Sequence, residues 1–291
     1  MTTILNDAQT DTQTGHRATA RPLPAFANGW YAVATTSALA PGTRLEKMWL
    51  GRTITAERTH SGTARVRDLD THETGGILFA YHNNADHSPA WQLPNLEPDT
   101  SHGAWSPLRT KTWALSTHPQ EVHENAPDLA HLRSLHGFVI SDYEASADGP
   151  KFHSSYRSSK PGGIFGIGNN TLDLDIHGYI MGLGFAVTNV HVVQWGLDFR
   201  MLTLTTPTAP GKLDLTIALG LAPLPPDAPR NTLARILPRR VLSRLLLHGS
   251  AVEVERDVSI WENKTYLERP KLGGNDGPIL AYRRWAAQFY G

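Results

Sequence analysis

The chain has 291 residues, of which 40% are hydrophobic, and its 27 basic and 27 acidic residues give a formal net charge of zero. This length and hydrophobic fraction predict a globular protein with one large or two small cores. The charge balance gives no electrostatic reason to bind nucleic acid. The absence of cysteine excludes disulfides and cysteine-ligated metal sites within these residues, so a metal here needs His, Asp or Glu ligands.

The N-terminal stretch MTTILNDAQTDTQTGHRATARPLP is polar and lacks the apolar segment of a secretion signal. We therefore expect residues 1–24 to form a disordered tail. No apolar run reaches the roughly eighteen residues that a membrane helix needs. We expect no membrane span and a cytoplasmic location.

Residues 25–100 alternate short apolar runs with turn residues, which predicts a small β-rich region. The stretch SPAWQLPNLEPDTSHGAWSP is rich in proline and polar residues, and we place a domain boundary within it, near Ser101. After this boundary, TKTWALSTH is typical of a strand, and Pro119 to His136 is interpreted as one helical stretch.

Several alternating apolar runs between Gly163 and Leu221 predict an antiparallel sheet. A long helix is predicted from about Asn231, with Pro238 kinking or splitting it. The glycines of PGGIFGIGNN are interpreted as a loop or lid, because no βαβ unit frames them as a dinucleotide site. This order of elements predicts the α+β class, with helices packed on one face of a curved sheet over residues 101–291.

The stretch VHENAPDLAHLRSLHGF carries the candidate chemistry. Asn125, Asp128 and His131 are spaced by three residues, and His136 follows five residues later. On a helix the first three share one stripe, so both imidazoles could reach one point. Two histidines on one element, completed by a distant carboxylate, form the facial triad that holds Fe(II) in oxygenases.

This spacing leaves other interpretations open. The two histidines could be surface or core-capping side chains. Asp128 could be a carboxylate on the surface or in the first turn of a helix, with Asn125 as a cap before Pro127. The basic run RILPRRVLSR could dock an acidic electron donor or a membrane surface, or could be an ordinary solvated face.

Three stretches carry a resemblance to one family. FANGWYAVATTSALAPGT followed by WLGRTI resembles the opening of the Rieske non-haem iron oxygenases, and HENAPDLAHLRSLHG resembles their mononuclear-iron motif. RDVSIWENKTYLERPKLGGNDGPILAYRRWAAQFY is similar to the C-terminus of the subgroup related to ketosteroid 9α-hydroxylase and cholesterol 7-desaturase. The resemblance implies a helix-grip (START/Bet v 1-like) catalytic domain, whose curved antiparallel sheet wraps a long C-terminal helix. It also implies that residues 25–100 are a reduced, β-rich remnant of a Rieske domain.

The resemblance also assigns roles to particular residues. It implies that His131, His136 and Asp257 are iron ligands. Asp128 matches the aspartate that links a Rieske centre to the iron site of a neighbouring subunit, and Asn125 matches a polar residue close to the iron. On spacing alone, nearby carboxylates rival Asp257 as the third ligand: Glu253, Glu255 and Glu262.

The chain departs from the family at the Rieske cluster, which needs two cysteines and two histidines. Here WLGRTITAERTHSGTARVRDLDTHETGGILFAYHN runs directly from the strand that normally precedes the first cluster loop to the strands that normally follow the second. We interpret this as a deletion of the cluster-binding subdomain. The nearby histidines cannot rebuild the cluster without thiolates; they are His60, His72, His82 and His87. The prediction is mononuclear Fe(II) without a [2Fe–2S] cluster.

The deletion raises the question of where electrons come from, because the complete enzymes pass two external electrons through the Rieske centre. A separate Rieske-bearing protein could donate them, or an electron-rich substrate could supply them. Alternatively, the pocket could catalyse a non-redox isomerisation or cyclisation, or serve as a binding or partner subunit. We favour Fe(II)-dependent hydroxylation, desaturation or oxidative cyclisation of a hydrophobic, polycyclic or specialised-metabolite substrate with O₂. The resemblance also implies a homotrimer, in which the Rieske centre of one subunit passes electrons to the iron of the next. Without the cluster, this reason for forming a trimer is lost.

Overall fold

The computed structural model describes residues 23–85, 87–101, 103–161, 171–229 and 232–291. Nearly all of the predicted tail, residues 1–24, and of the predicted PGGIFGIGNN loop therefore lies outside the described residues.

The first part of the chain forms two small antiparallel sheets, ordered β1-β6-β5 and β2-β3-β4. Their strands are β1 (Gly29–Thr35), β2 (Arg44–Trp49), β3 (Arg52–Arg58), β4 (Ala64–Val66), β5 (Thr71–Thr74) and β6 (Ile77–His82). The core between them includes fully buried Tyr31 and Trp49, whose rings meet edge to face. The described residues between β6 and the next strand form neither helix nor strand, although Leu96 among them is buried. The domain boundary near Ser101 stays a prediction.

The second part of the chain builds a seven-stranded sheet in the order β7-β13-β12-β11-β10-β9-β8. Its strands are β7 (Arg109–Leu115), β8 (Val139–Asp148), β9 (Lys151–Pro161), β10 (Thr171–Met181), β11 (Phe185–Val192), β12 (Leu197–Ala209) and β13 (Lys212–Leu221). All neighbouring strands are antiparallel, and β8 to β13 follow one another in space as they do along the chain. The described connections of this meander are short, at residues 149–150, 182–184, 193–196 and 210–211.

The described residues form five α-helices beside this sheet: α1 (Pro119–His123), α2 (Leu129–Ser134), α3 (Leu233–Ile236), α4 (Arg239–Asn263) and α5 (Ile279–Ala286). Pro238 precedes α4 with an extended ψ of 135°, so the prediction that it splits the long helical stretch is confirmed.

The prediction of one helical stretch from Pro119 to His136 is wrong. The chain leaves the helix after His123 and starts a new one at Leu129. Pro127 explains the break, since it has no backbone N–H and disfavours helical geometry at the residue before it. Asn125 and Asp128 therefore do not share a helical stripe with His131.

Helix α4 lies against the inner face of the large sheet, and side chains from the helix and the sheet together form a hydrophobic core. Leu242 and Leu246 pack with strand residues such as Leu219, while Trp261 near the other end packs against Leu115 and Leu213. A long helix held by an antiparallel sheet is the helix-grip arrangement, and the predicted α+β class is confirmed.

The small sheets dock on the large sheet by direct backbone contact. Gly184, in the turn between β10 and β11, lies so close to Trp30 that a Cβ added at Gly184 would sit 1.9 Å from the carbonyl oxygen of Trp30. Around this contact, Phe79 of β6 and Phe185 of β11 pack with their ring centroids 5.0 Å apart and their planes tilted by 48°. The two parts of the chain therefore share a core.

We expect Gly184→Ala to destabilise the protein by roughly 1–3 kcal/mol, because the methyl group forces β1 away from the large sheet. The matched control is Gly274→Ala, where an added Cβ meets no atom within 4 Å among the described residues. Urea unfolding followed by tryptophan fluorescence gives both values. Equal stability of the two variants would contradict this packing.

Candidate metal centre

His131 and His136 come together because the chain reverses just after α2. Asp128 caps α2, where its Oδ1 accepts a hydrogen bond from the backbone N–H of His131 at 2.9 Å. Beyond the helix, Gly137 has a φ of 69°, a left-handed conformation that glycine adopts without strain. The imidazole rings then lie edge to face with centroids 4.7 Å apart, and their Nε2 atoms are 3.0 Å apart.

Asp257 reaches the two histidines from α4. Residues Leu246, Gly249, Glu253, Asp257 and Trp261 follow one another at steps of three or four, so they share the face of α4 that packs against the sheet. Asp257 Oδ1 lies 3.0 Å from His131 Nε2 and 3.3 Å from His136 Nε2. The structure thus brings together the three residues that the sequence predicts as ligands.

The donor atoms fit a shared cation. Asp257 Oδ1 is buried and accepts no hydrogen bond of suitable geometry from any residue that the structure describes, although two imidazoles adjoin it. Within the described part of the chain, His131, His136 and Asp257 form the one group of three His, Cys, Asp or Glu residues whose ligand atoms all lie within 4.8 Å of one another. Two neutral imidazoles and one carboxylate are the donor set that suits non-haem Fe(II).

The three other carboxylates of α4 that the sequence offers as a third ligand either pair with other residues or lie at the surface. Glu253 Oε2 accepts a hydrogen bond from His136 Nδ1 at 2.8 Å, which leaves Nε2 of that ring facing Asp257. Glu255 pairs with Lys111 at the surface, and Glu262 is exposed. Sequence reasoning treated Glu253 as a competing ligand and missed its role as a hydrogen-bond partner of His136. The sequence feature that could have indicated this role is that Glu253 lies four residues before Asp257, on the same face of the helix.

The electrostatics of this cluster favour a positive charge. Burial lowers the pKa of His136, but Asp257 and Glu253 outweigh it and raise the pKa to about 9. Burial raises the pKa of both carboxyls, yet the histidines beside Asp257, and His136 and Lys160 beside Glu253, hold each pKa below its ordinary value. Without a metal, a proton on His136 balances the carboxylates, and a bound metal ion would replace that proton.

The other two predicted site residues lie next to the cluster. Asp128 is itself the N-cap of α2, whereas the alternative interpretation gave the capping role to Asn125, and the relay role of Asp128 stays a prediction. Asn125 lines the pocket that adjoins the histidines. This pocket has a volume of about 270 Å³ and lies between α4 and the inner face of β9 to β12. Its walls are mainly apolar, with Phe138, Tyr156, Leu174, Ile176, Phe199 and Met201 among them.

Residues 80–290 match the model of the family described as the 3-ketosteroid 9alpha-hydroxylase C-terminal domain. The chain belongs to this family. Members of the family are catalytic domains of Rieske non-haem iron oxygenases, so the resemblance seen in the sequence is confirmed.

Curated relatives of this hydroxylase-family chain include sterol enzymes. It is 28% identical over 242 residues to cholesterol 7-desaturase nvd of Hemicentrotus pulcherrimus, an alignment that covers 78% of this chain and 50% of the relative. It is 21% identical over 241 residues to the oxygenase component of 3-ketosteroid-9-alpha-monooxygenase of Rhodococcus rhodochrous, covering 78% of this chain and 60% of the relative. The chain spans about half the length of the curated relatives it matches.

Solved structures share the fold of this family member. The crystal structure of dicamba monooxygenase bound to dicamba superposes with a TM-score of 0.66 at 12% identity, covering 90% of this chain and 96% of the other. At this identity, the likeness shows the fold alone. None of the described helices is long and apolar enough to span a membrane.

We expect the wild-type protein to bind about one Fe(II) per chain under anaerobic conditions, and His131→Ala and Asp257→Ala to bind none, because each change removes one of three ligands. His191→Ala and Glu255→Gln are the matched controls, since both side chains are far less buried and pair with other residues. Metal analysis of the purified proteins gives the stoichiometry. Full iron content in either alanine variant would rule out this ligand set.

Glu253→Gln removes the charge that orients His136 without changing the size of the side chain. We expect the dissociation constant for Fe(II) to rise about 10- to 100-fold, the usual effect of losing a hydrogen-bonded partner of a metal-bound histidine. Glu262→Gln, on the exposed side of the same helix, should leave it unchanged. Competition with a chelator measures both constants, and equal values would show that Glu253 does not tune the site.

Proposed function

We propose that this chain is an Fe(II)-dependent oxidoreductase that oxidises a C–H bond of a hydrophobic polycyclic substrate. The observation that carries this proposal is the position of His131, His136 and Asp257 at one end of an apolar pocket. The family supports it, because relatives are named as desaturases of cholesterol and monooxygenases of 3-ketosteroids.

In this proposal His131, His136 and Asp257 hold the metal, and Glu253 fixes His136 in the orientation that presents Nε2. A bound Fe(II) would supply the chemistry that activates O₂, as in other sites with two histidines and one carboxylate. The apolar walls from β9 to β12 hold the substrate and keep water away from the site. Asn125 contributes a polar side chain to the wall of the same pocket.

The pocket and the relatives support a proposal for the substrate class. A cavity of about 270 Å³ with apolar walls suits a compact ring system more than a flexible polar molecule. We propose a sterol-like or other polycyclic compound, including specialised metabolites, and hydroxylation, desaturation or ring formation as the outcome.

We further propose that the Rieske cluster-binding segment has been deleted from within this chain. The chain has no cysteine, while a Rieske cluster needs two. The alignment with cholesterol 7-desaturase of Caenorhabditis elegans runs over 346 residues, which exceeds the 291 residues of this chain, so the relative carries segments that this chain lacks. Short turns join β3 to β6 in the region where the cluster loops would lie.

This deletion means that electrons must come from outside the chain. Hydroxylation consumes O₂, two electrons and two protons for each C–H bond and yields an alcohol and water. A separate electron-donor protein or an electron-rich substrate is the proposed source. Of the two, a donor protein would give Asp128, which already caps α2 beside His131, a second role as a relay.

The proposed activity is tested with the iron-loaded protein, O₂, a reductant and a panel of sterols and polycyclic ketones. We expect a product heavier by one oxygen atom or lighter by two hydrogen atoms, detected by mass spectrometry. His131→Ala should abolish the product. Turnover that is unchanged in this variant would favour the non-redox alternative, an isomerase or cyclase that uses the same pocket.

Asp128 is tested by separating its carboxylate from its role as a helix cap. Asp128→Asn keeps a capping side chain, whereas Asp128→Ala also loses about 1 kcal/mol of helix stability. We expect Asp128→Asn to lose turnover driven by a donor protein and to keep turnover driven by a chemical reductant. Loss of both activities in a folded, iron-loaded Asp128→Asn protein would contradict the relay role.

A further inference from the structure

Lys160 is a buried cation in the wall of the substrate pocket. It lies near the end of β9, is 8% exposed, and lines the pocket together with Tyr156 of the same strand. Its Nζ sits 4.7 Å from the ring centroid of Phe138 and 2.6 Å from Glu253 Oε1. Neither the sequence motifs nor the proposed metal site uses this residue.

The ammonium of Lys160 has unused hydrogen-bonding capacity. Although Glu253 Oε1 is near, Nζ forms no hydrogen bond of suitable geometry with any of the residues that the structure describes. An ammonium has three N–H donors, so even if Glu253 took one, at least two would find no acceptor among the described residues. Buried donors without acceptors are costly, which favours a ligand that brings an oxygen atom.

A second buried polar atom lies on the same face of β9. Ser158 is two residues before Lys160 and two after Tyr156, so the three side chains project to one side of the strand. Ser158 is 4% exposed, and its Oγ also finds no partner within the described part of the chain. On the neighbouring strand β10, the pocket is lined by apolar Leu174 and Ile176.

We propose that Lys160 determines substrate specificity by donating a hydrogen bond to a carbonyl or carboxylate oxygen of the substrate. This inference rests on the proposed function, which places the substrate in this pocket. The ion pair with Glu253 fixes the Lys160 side chain at the end of the pocket where His136 lies. The substrate class is therefore a polycyclic ketone or acid, with its oxygen-bearing end directed toward β9.

The test measures ligand binding to the iron-free protein, so that it does not depend on turnover. The probes are fluorene, 9-fluorenone and fluorene-9-carboxylate, which share one ring system and differ in the oxygen. Wild-type protein should bind the ketone or the acid about tenfold more tightly than the hydrocarbon, the usual worth of a hydrogen bond from a charged donor. Whichever of the two oxygen probes binds more tightly identifies the group.

Variants assign this preference to Lys160. Lys160→Met keeps an unbranched side chain of similar size and removes the charge, so the preference for oxygen should vanish while fluorene binds as before. Lys160→Arg should keep most of the preference. The matched control is Lys151→Met, at the other end of β9, where the ammonium lies over the ring of Tyr179.

The inference is overturned if wild-type protein binds fluorene and both oxygen probes equally, or if no probe binds. It is also overturned if the preference survives in Lys160→Met with an unchanged circular dichroism spectrum and melting temperature. The proposed function fails on other measurements, iron content and O₂-dependent product, so the two failures are distinguishable.

Discussion

The packing of α4 into the large sheet is the constraint on which the candidate site depends. Residues on one face of this helix alternate between roles: Leu246 and Trp261 pack in the core, while Asp257 on the same stripe meets the two histidines. The apolar contacts fix the rotation of the helix, and the rotation fixes the direction of the carboxylate. A shift of one residue along α4 would turn Asp257 by about 100° away from the site.

A second set of contacts ties the histidine-bearing segment to the end of α4. Lys264, the first residue after α4, pairs with Glu121 at 2.7 Å and with Glu124 at 3.0 Å, and Arg283 of α5 forms two hydrogen bonds with Glu124. Burial raises the pKa of Glu124, but Arg283 and Lys264 outweigh it, so this pKa is lowered and the carboxyl stays charged. These ion pairs hold α1 against the helices that follow the sheet. The short segment from Glu124 to His131 therefore starts from a fixed point.

The site concentrates polar groups in an otherwise apolar pocket, and each of them depends on its neighbours. Glu253 contacts His136, Lys160 and Arg256, so one carboxylate links a metal-ligand candidate to the pocket wall and to the surface. Because an unpaired buried charge is unfavourable, each member of such a network stabilises the charged form of its neighbours. The metal and the substrate oxygen proposed here would satisfy its two remaining buried atoms, Asp257 Oδ1 and Lys160 Nζ.

The sequence by itself determined the α+β class, a kink or split of the long helix at Pro238, the family, and the identity of His131, His136 and Asp257 as candidates. These follow from local features: alternating strands, a proline, and residues in recognisable motifs. Only the tertiary structure decided that the segment before His131 breaks at Pro127, since spacing does not show whether a turn continues through a proline. It also decided that Asp257, and not the carboxylates at Glu253, Glu255 and Glu262, faces both imidazoles, and that Lys160 joins them from β9. These arrangements join residues far apart in the chain, and their positions depend on how α4 and the sheet pack.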